Sequence, residues 1–543
     1  MGISITCYGG VGQIGGNKVL LEDAATGGRL FLDFGTSFGD WGRYYEEYLK
    51  PRSGTGIIDL LETGLLPPLV GLYRSDLTQL PEAPARLARN VGRWAARAPA
   101  ARFPSLERAG RPPVDAVLLS HAHLDHSGYV GLLDARVPVV AHPLTATIAK
   151  AMQDTSGGSD FEREVAFHSE KVQLVDKATG APRDYLTSER GGPYVLRHFL
   201  LTEPAPGTAW QEFWQAAKTR KKGIQGGLPQ PLAGPVGGLP VEALPVDHSI
   251  LGAVAFVVET SVGPVAYTGD LRFHGGGRAL TERMRDTLAG RRPTVLLGEG
   301  TRAGSDRLGS EEEVYRNAIK EARAEPGLLV ADFAPRNVER LLTFLSIAKE
   351  VGRALVVLDK DAYLLKAMHA AAPDRIPDFA ADDRILLYDD PRASLQGWQG
   401  RQRRDYAHKQ VGAARVRQAP DDYLLSFSYW DLKNLIDIGR EGGTYIYSNS
   451  EAHNEEQELD ARRLLHWLRR FELRLAGDPQ GGEGGLHCSG HATGQDLLDL
   501  YRSIHPRYLV PIHTEDPSFF VQHFQGSDIQ VRLPEYGVPL RFD

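Results

Sequence analysis

Cysteine is nearly absent from this 543-residue chain, which has only Cys7 and Cys488, at opposite ends of the sequence. Such a pair builds no disulfide framework and suits a reducing compartment. The sequence opens on no basic-then-apolar leader, and no uninterrupted apolar stretch reaches the roughly 20 residues of a membrane span. A cytoplasmic protein with no membrane partner is therefore expected. Surplus positive charge is also lacking, since 62 Lys and Arg face 69 Asp and Glu for a formal net charge of -7. A protein that coats itself with nucleic acid normally carries an excess of Lys and Arg to neutralise phosphate. The balance argues against that class but leaves a local basic groove open. Clusters that would line a groove, or equally a solvated surface, lie at Lys218 to Lys222, at Arg401 to Arg404, and at Arg462-Arg463 with Arg469-Arg470. A 42% hydrophobic and 24% charged composition is that of a soluble globular protein, here too long for one ordinary domain.

Histidine and aspartate, by contrast, are concentrated. Ser120-His121-Ala122-His123-Leu124-Asp125-His126 places three imidazoles and a carboxylate in six positions, directly after the apolar run Ala116 to Leu119. Imidazole nitrogen and carboxylate oxygen are ligands for zinc or manganese, and a tight turn at a strand end aims alternate side chains at two adjacent ions. Two ions need further ligands, and the ends of other apolar runs offer them. His248 follows Leu244 to Val246, Asp270 follows Val265 to Tyr267, His513 follows Tyr508 to Ile512, and Asp33 follows Leu30 to Leu32. A single polar residue at a strand end is ordinary turn chemistry. The same arrangement recurring at five strand ends is not.

Gly10-x-Gly12-x-x-Gly15 also satisfies a dinucleotide-binding pattern, which requires a helix after the glycines. The next residues, Asn17 to Asp23, are apolar at their centre and run into the Gly27-Gly28 turn and another short strand. This is the signature of a β-meander, so nicotinamide binding is not expected.

With these motifs the chain resembles the metallo-β-lactamase-fold hydrolases of the β-CASP branch, most closely the ribonuclease J group. Gly9 to Asn17 is similar to that family's opening glycine-rich turn, and Asp33 to its first acidic motif. The His121 to His126 block, His248 and Asp270 match the next three metal motifs, while Glu299, His491 and His513 match motifs A, B and C. The resemblance implies an α/β fold, in which an αββα sandwich carries an inserted β-CASP α/β domain. The expected division is residues 1–304 for the first part of the sandwich, with insertions at about 36–113, an irregular stretch, and at about 143–240, then 305–455 for the insert and 456–543 for the returning segment. A helix over Val338 to Val351 and another over Asn454 to Leu475 are expected.

The family's ligand pattern puts His121, His123 and His248 on one divalent ion and Asp125, His126 and His513 on the other, with Asp270 bridging. Zinc or manganese would serve. Asp33 would orient the imidazoles from behind. Asp125, His491 and Glu299 are the implied catalytic residues, with His491 as proton donor to the leaving oxygen and Glu299 as its partner. Ser489, Gly490, His491 and Ala492 are the implied phosphate-holding loop and Phe333 a base-stacking ring, although Pro335, Arg336 and Glu339 replace the family's usual residues nearby. The resemblance implies a two-metal ribonuclease acting on single-stranded RNA, a 5′-to-3′ exonuclease with endonuclease activity as a further option. His513 favours RNA, because DNA-processing members carry Val there. A DNA nuclease, a thioester or lactam hydrolase and a non-catalytic scaffold are the alternatives. Only 30 residues follow His513. The C-terminal domain common in the group is therefore expected to be missing, which leaves open whether the protein forms a homodimer.

Overall fold

The computed structural model describes residues 2–46, 48–156, 164–216, 223–305, 309–334, 336–450, 455–480 and 485–543. Lys218 to Lys222 and Pro335 lie outside these residues. None of the described helices is long and apolar enough to cross a membrane.

Two sheets face one another. The first has eight strands, in the order Gln230–Pro231, Phe199–Leu201, Val139–Ala141, Ala116–Leu119, Arg29–Leu32, Val19–Asp23, Ile3–Cys7 and Leu540–Phe542. The second runs Val241–Pro245, Val254–Thr260, Gly263–Tyr267, Val295–Glu299, Tyr508–Ile512 and Gln530–Val531. Alternation along each strand builds the layers, because successive side chains point to opposite faces. Val19, Leu21, Leu30, Leu32 and Leu118 meet Phe256, Val258, Val265, Leu297 and Val510 between the sheets. Leu20, Phe31, Val117 and Leu119 point the other way, into a helix-covered cluster. On the far side of the second sheet, Val257, Ala266, Leu296 and Leu509 pack against Met284, Leu288, Leu497 and Tyr501. The result is a helix-sheet-sheet-helix sandwich.

Between Glu299 and Tyr508 the chain builds a third, all-parallel sheet. Its order is Gln410–Val411, Ile385–Tyr388, Ala354–Val357, Tyr423–Ser426, Leu329–Asp332, Gly443–Tyr447 and Leu473–Ala476. Leu329, Ala331, Leu355 and Val357 pack on one face and Val330, Val356 and Leu425 on the other, each under helices. This is the near-continuous apolar patterning of buried parallel strands.

Several sequence expectations are corrected here. The stretch 36–113 is not wholly irregular, since Ala83–Arg97 is a 15-residue helix. The stretch 143–240 begins with helix Pro143–Thr155 and contributes two strands to the first sheet, so much of it is part of the sandwich. The helix expected to reach Leu475 is described over Glu455–Arg470, and Leu473–Ala476 is a strand paired with Gly443–Tyr447. The residues assigned to the returning segment therefore first complete the third sheet. The helix expected at Val338 to Val351 is seen as Val338–Glu350.

Candidate metal centre

The site lies where strands of both sandwich sheets end. His121 follows Ala116–Leu119, and the block then turns into a four-residue helix, Leu124–Ser127. Two glycines seat this turn. A side chain at Gly35 would meet the Asp125 carbonyl oxygen at 1.7 Å, and one at Gly15 would meet Asp125 Cβ at 2.8 Å. The glycine-rich turn thus serves close backbone approach to the histidine block. The two flanking strands are antiparallel, as a meander requires.

Three groups of donor atoms converge, His121 with His123 and His248, Asp125 with His126, Asp270 and His513, and His248 with Asp270 and His491, the atoms in each lying within 4.8 Å of one another. His121 Nε2 is 3.1 Å from His123 Nδ1, and His248 Nε2 is 3.2 Å from the same atom. His126 Nε2 and His513 Nε2 are 3.3 Å apart. Asp270 is central, its Oδ2 lying 3.0 Å from His126, 3.6 Å from His513, 3.7 Å from His121 and 4.0 Å from His248. Its Oδ1 is buried with no hydrogen-bond partner among the described residues.

Burial and the neighbouring His126 push His121 well below its ordinary pKa, and burial pushes His123 down to about 4. His248 is driven well down by burial, His123 and His491. These imidazoles are neutral, the form that binds a metal. Burial opposes charge on His126 too, but Asp270, Asp125 and Asp33 outweigh it and hold that ring well above its ordinary value. The carboxylates therefore call for positive charge at the centre of the cluster. Neutral nitrogens facing one another, an orphaned carboxylate oxygen and clustered negative charge form a donor set suited to divalent cations.

The rings are held from behind. Asp33, with left-handed backbone (φ 56°), places Oδ2 2.7 Å from His126 Nδ1 and accepts from Ser120 N at 2.7 Å, Ser120 Oγ at 2.6 Å and Tyr267 Oη at 2.5 Å. His513, also left-handed (φ 54°), has Nδ1 2.8 Å from Thr301 Oγ1. Backbone strain of this kind persists where the surroundings over-determine it. His248 Nδ1 donates to the Gly490 carbonyl at 2.5 Å, which leaves Nε2 bare for a ligand. Ser120, Tyr267 and Thr301 were missed from the sequence, where nothing distinguishes them from ordinary strand-end residues.

His491 lies on the rim. Its Nδ1 is 3.0 Å from Glu299 Oε2 and 3.9 Å from Asp270 Oδ2. Burial disfavours its charge, but Glu299 and Asp270 overcome that and lift its pKa to about 9, so the ring carries a proton at neutral pH. Glu299 is fixed in turn by Leu271 N at 2.8 Å.

Two expected substrate contacts are corrected. Ala492 is fully buried and its N–H donates to Leu271 O at 2.7 Å, while the His491 N–H donates to Ser489 Oγ at 3.1 Å. Neither amide points free for a phosphate. Ser489, Gly490 and the His491 ring remain partly open. Phe333 is 6% exposed, its ring stacked on Phe344 at 5.3 Å, so it is a core aromatic of the third sheet and leaves little surface for a base. Glu339 accepts from Arg272 and from Gly276 N.

Residues 89–331 match the metallo-beta-lactamase superfamily, and residues 485–534 match the Zn-dependent metallo-hydrolase RNA specificity domain. The first span holds His121, His123, Asp125, His126, His248 and Asp270, and the second His491 and His513. The chain is 24% identical to ribonuclease J of Pyrococcus abyssi over 432 residues, 74% of each chain. It is 26% identical to ribonuclease J of Mycoplasma pneumoniae over 50% of this chain and 45% of that one, and 26% identical to ribonuclease J of Sinorhizobium meliloti over 52% and 47%. Apart from the Pyrococcus abyssi protein, the chain thus spans about half the length of these relatives. A crystal structure of a protein of unknown function from Enterococcus faecalis V583 superposes over the whole of both chains with a TM-score of 0.64 at 21% identity, a likeness of fold.

Proposed function

We propose that this chain, whose residues 89–331 match the metallo-beta-lactamase superfamily and whose residues 485–534 match the Zn-dependent metallo-hydrolase RNA specificity domain, is a metal-dependent ribonuclease hydrolysing phosphodiester bonds of single-stranded RNA. The observation that carries this reading is the convergence of seven His and Asp side chains beside His491, which is paired with Glu299. His121, His123 and His248 would hold one divalent ion and Asp125, His126 and His513 a second, with Asp270 shared, and zinc is favoured over manganese. Such ions, when bound, supply an activated water and neutralise charge developing on the phosphate.

The chain's own groups do the rest. His491, its side chain 20% exposed, gives its proton to the departing ribose oxygen, while Glu299 holds Nδ1 and keeps the ring charged. Asp33, Thr301 and the Gly490 carbonyl fix the ring orientations of His126, His513 and His248. Ser489 and Gly490 flank the place where a phosphate would sit. Exonucleolytic digestion from the 5′ end, with endonucleolytic cleavage as an accompaniment, is the mode suggested by similarity to the ribonuclease J proteins.

Incubation of matched single-stranded RNA and DNA oligonucleotides with the zinc- or manganese-loaded protein tests the reading. RNA is expected to be cut to 5′-phosphate products much faster than DNA. Preferential cutting of DNA, or turnover of thioesters or lactams with RNA intact, would overturn it.

A further inference from the structure

The chain's negative charge is unevenly spread. Residues 82–111 hold seven arginines against two glutamates, with no lysine or aspartate, a surplus of five positive charges in a chain of net charge -7. Four of these arginines lie on helix Ala83–Arg97, which contains no acidic residue. Arg86, Arg89, Arg93 and Arg97 follow at steps of three, four and four, so they share one face and climb about 16 Å of the helix axis. Like charges at this spacing repel, and a helix that keeps four of them holds a positive field for an anion to neutralise. We propose that Arg86, Arg89, Arg93 and Arg97 form a binding surface for the phosphate backbone of single-stranded RNA flanking the cleavage site. This rests on the ribonuclease reading and adds to it a second contact, outside the catalytic centre.

Ion pairs hold the row in place. Glu62 is shared by Arg86 at 3.3 Å, Arg89 at 3.2 Å and Arg93 at 2.6 Å, while Glu82 meets Arg86 at 2.6 Å. Two carboxylates thus order three guanidiniums and leave a positive surplus, and Arg97 extends the row, exposed. The side chains of Arg89 and Arg93 are 47% and 46% exposed, which leaves N–H groups for phosphate oxygens. The other basic clusters differ. Arg403 meets Asp359, Asp389 and Asp390, Arg463 meets Asp460, and Arg470 meets Glu441.

The adjoining face of the helix is anchored to the edge of the first sheet that carries the metal centre. Trp94 stacks on Tyr536 at 4.6 Å, and Tyr536 lies 6.2 Å from the ring of Tyr8. Tyr8 follows strand Ile3–Cys7, and two residues on the Gly10 carbonyl accepts from His513 N at 2.8 Å. A chain of phosphates fits the row better than a lipid surface does. Interfacial helices press Trp, Phe or Leu into the bilayer beside their basic residues. Here no large apolar side chain from Ala83 to Arg111 is exposed, since Leu87 and Phe103 pack on the sandwich core and Trp94 on Phe103.

The test uses the metal-loaded protein with Arg89→Ala, Arg93→Ala and Arg97→Ala, singly and combined, and with Arg89→Lys, Arg93→Lys and Arg97→Lys combined. The probes are a long single-stranded RNA, a strand of a few nucleotides, and vesicles of phosphatidylcholine with phosphatidylserine. Each alanine variant is expected to raise KM for the long strand about fivefold at about 0.1 M salt, and to flatten the slope of log KM against log salt by about 0.7. The alanine triple should flatten it by about 2 and lose the preference for the long strand. Metal content, kcat and KM for the short strand should stay at wild-type values, and the lysine triple, which keeps the charge, should keep the wild-type slope. A wild-type KM and slope for long RNA in the alanine triple overturns the surface and leaves the ribonuclease reading standing. If that variant instead loses vesicle binding with its RNA kinetics unchanged, the face serves lipid headgroups and the proposal fails. Arg97→Glu, on the exposed last turn, reads the same effect should the triple not retain its metal, an unchanged KM again counting against the surface. A wild-type protein that neither binds nor cleaves RNA overturns both readings.

Discussion

At the scale of single residues, the candidate site is an arrangement of charge. Asp33, Asp125 and Asp270 face a buried set of imidazoles, and all three carboxylates lie within 3.6 Å of the His126 ring nitrogens and favour positive charge there. His491 stands at the edge of this set, its Nδ1 3.0 Å from Glu299 and 3.9 Å from Asp270. On the proposed mechanism, His491→Ala slows RNA hydrolysis by about 10²- to 10⁴-fold, the usual worth of a positioned general acid, with the metal content unchanged. Steady-state kinetics and metal analysis on one sample check this, and unchanged kcat would mean that another group gives the proton. The His and Asp residues were legible in the sequence because each ends an apolar run, a position a strand periodicity can locate. Tyr267 and Thr301 were not, because they reach Asp33 and His513 across 234 and 212 residues through sheet pairing that no local pattern encodes.

At the scale of elements, the loop bearing Ser489 to His491 is held by buried ion pairs reaching it from three directions. Arg272, on the turn after Asp270, donates to Ser489 O at 3.2 Å and to Glu311 Oε1 at 3.1 Å. Arg340, on helix Val338–Glu350, donates to Glu311 at 3.0 Å, to the Ser448 carbonyl at 2.7 Å and to Leu486 O at 3.4 Å. Glu311 begins helix Glu311–Ala324, so two helices of the inserted unit and a turn of the sandwich meet beneath the loop. Arg340→Ala leaves Glu311 buried with half its compensation gone. It is expected to destabilise the protein by about 3 to 5 kcal/mol. It should also cut activity, while Arg340→Lys recovers part of both. Denaturant unfolding checks the first effect, and an unchanged midpoint would remove the network from the loop's support.

Helix Ala83–Arg97 shows why element prediction failed where it did. Its Arg/Ala-rich sequence offers few apolar positions, and only Ala83 and Asn90 are buried. Its partners are distant. Glu62 lies within 2.6 to 3.3 Å of Arg86, Arg89 and Arg93, and Trp94 stacks on Tyr536 at 4.6 Å. The parallel strands of the inserted unit were readable, being continuous apolar runs.

At the scale of the whole molecule, the two sandwich sheets supply the side chains of the candidate metal centre and the inserted unit braces the loop opposite them. The overall architecture was legible because strand-helix alternation beyond Glu299 differs so plainly from the meander before Asp33. Its boundaries were not, since Leu473–Ala476 joins the inserted sheet only by pairing with Gly443–Tyr447. The central claim is that this architecture assembles a metal centre that cleaves RNA. The most direct measurement is metal content per chain alongside cleavage of 5′-labelled RNA, before chelation, after it and after adding zinc or manganese back. The account expects about two ions per chain, loss of cleavage when they are removed and recovery when they return. Full cleavage by metal-free protein, or a metal-replete protein that leaves RNA intact, would contradict it.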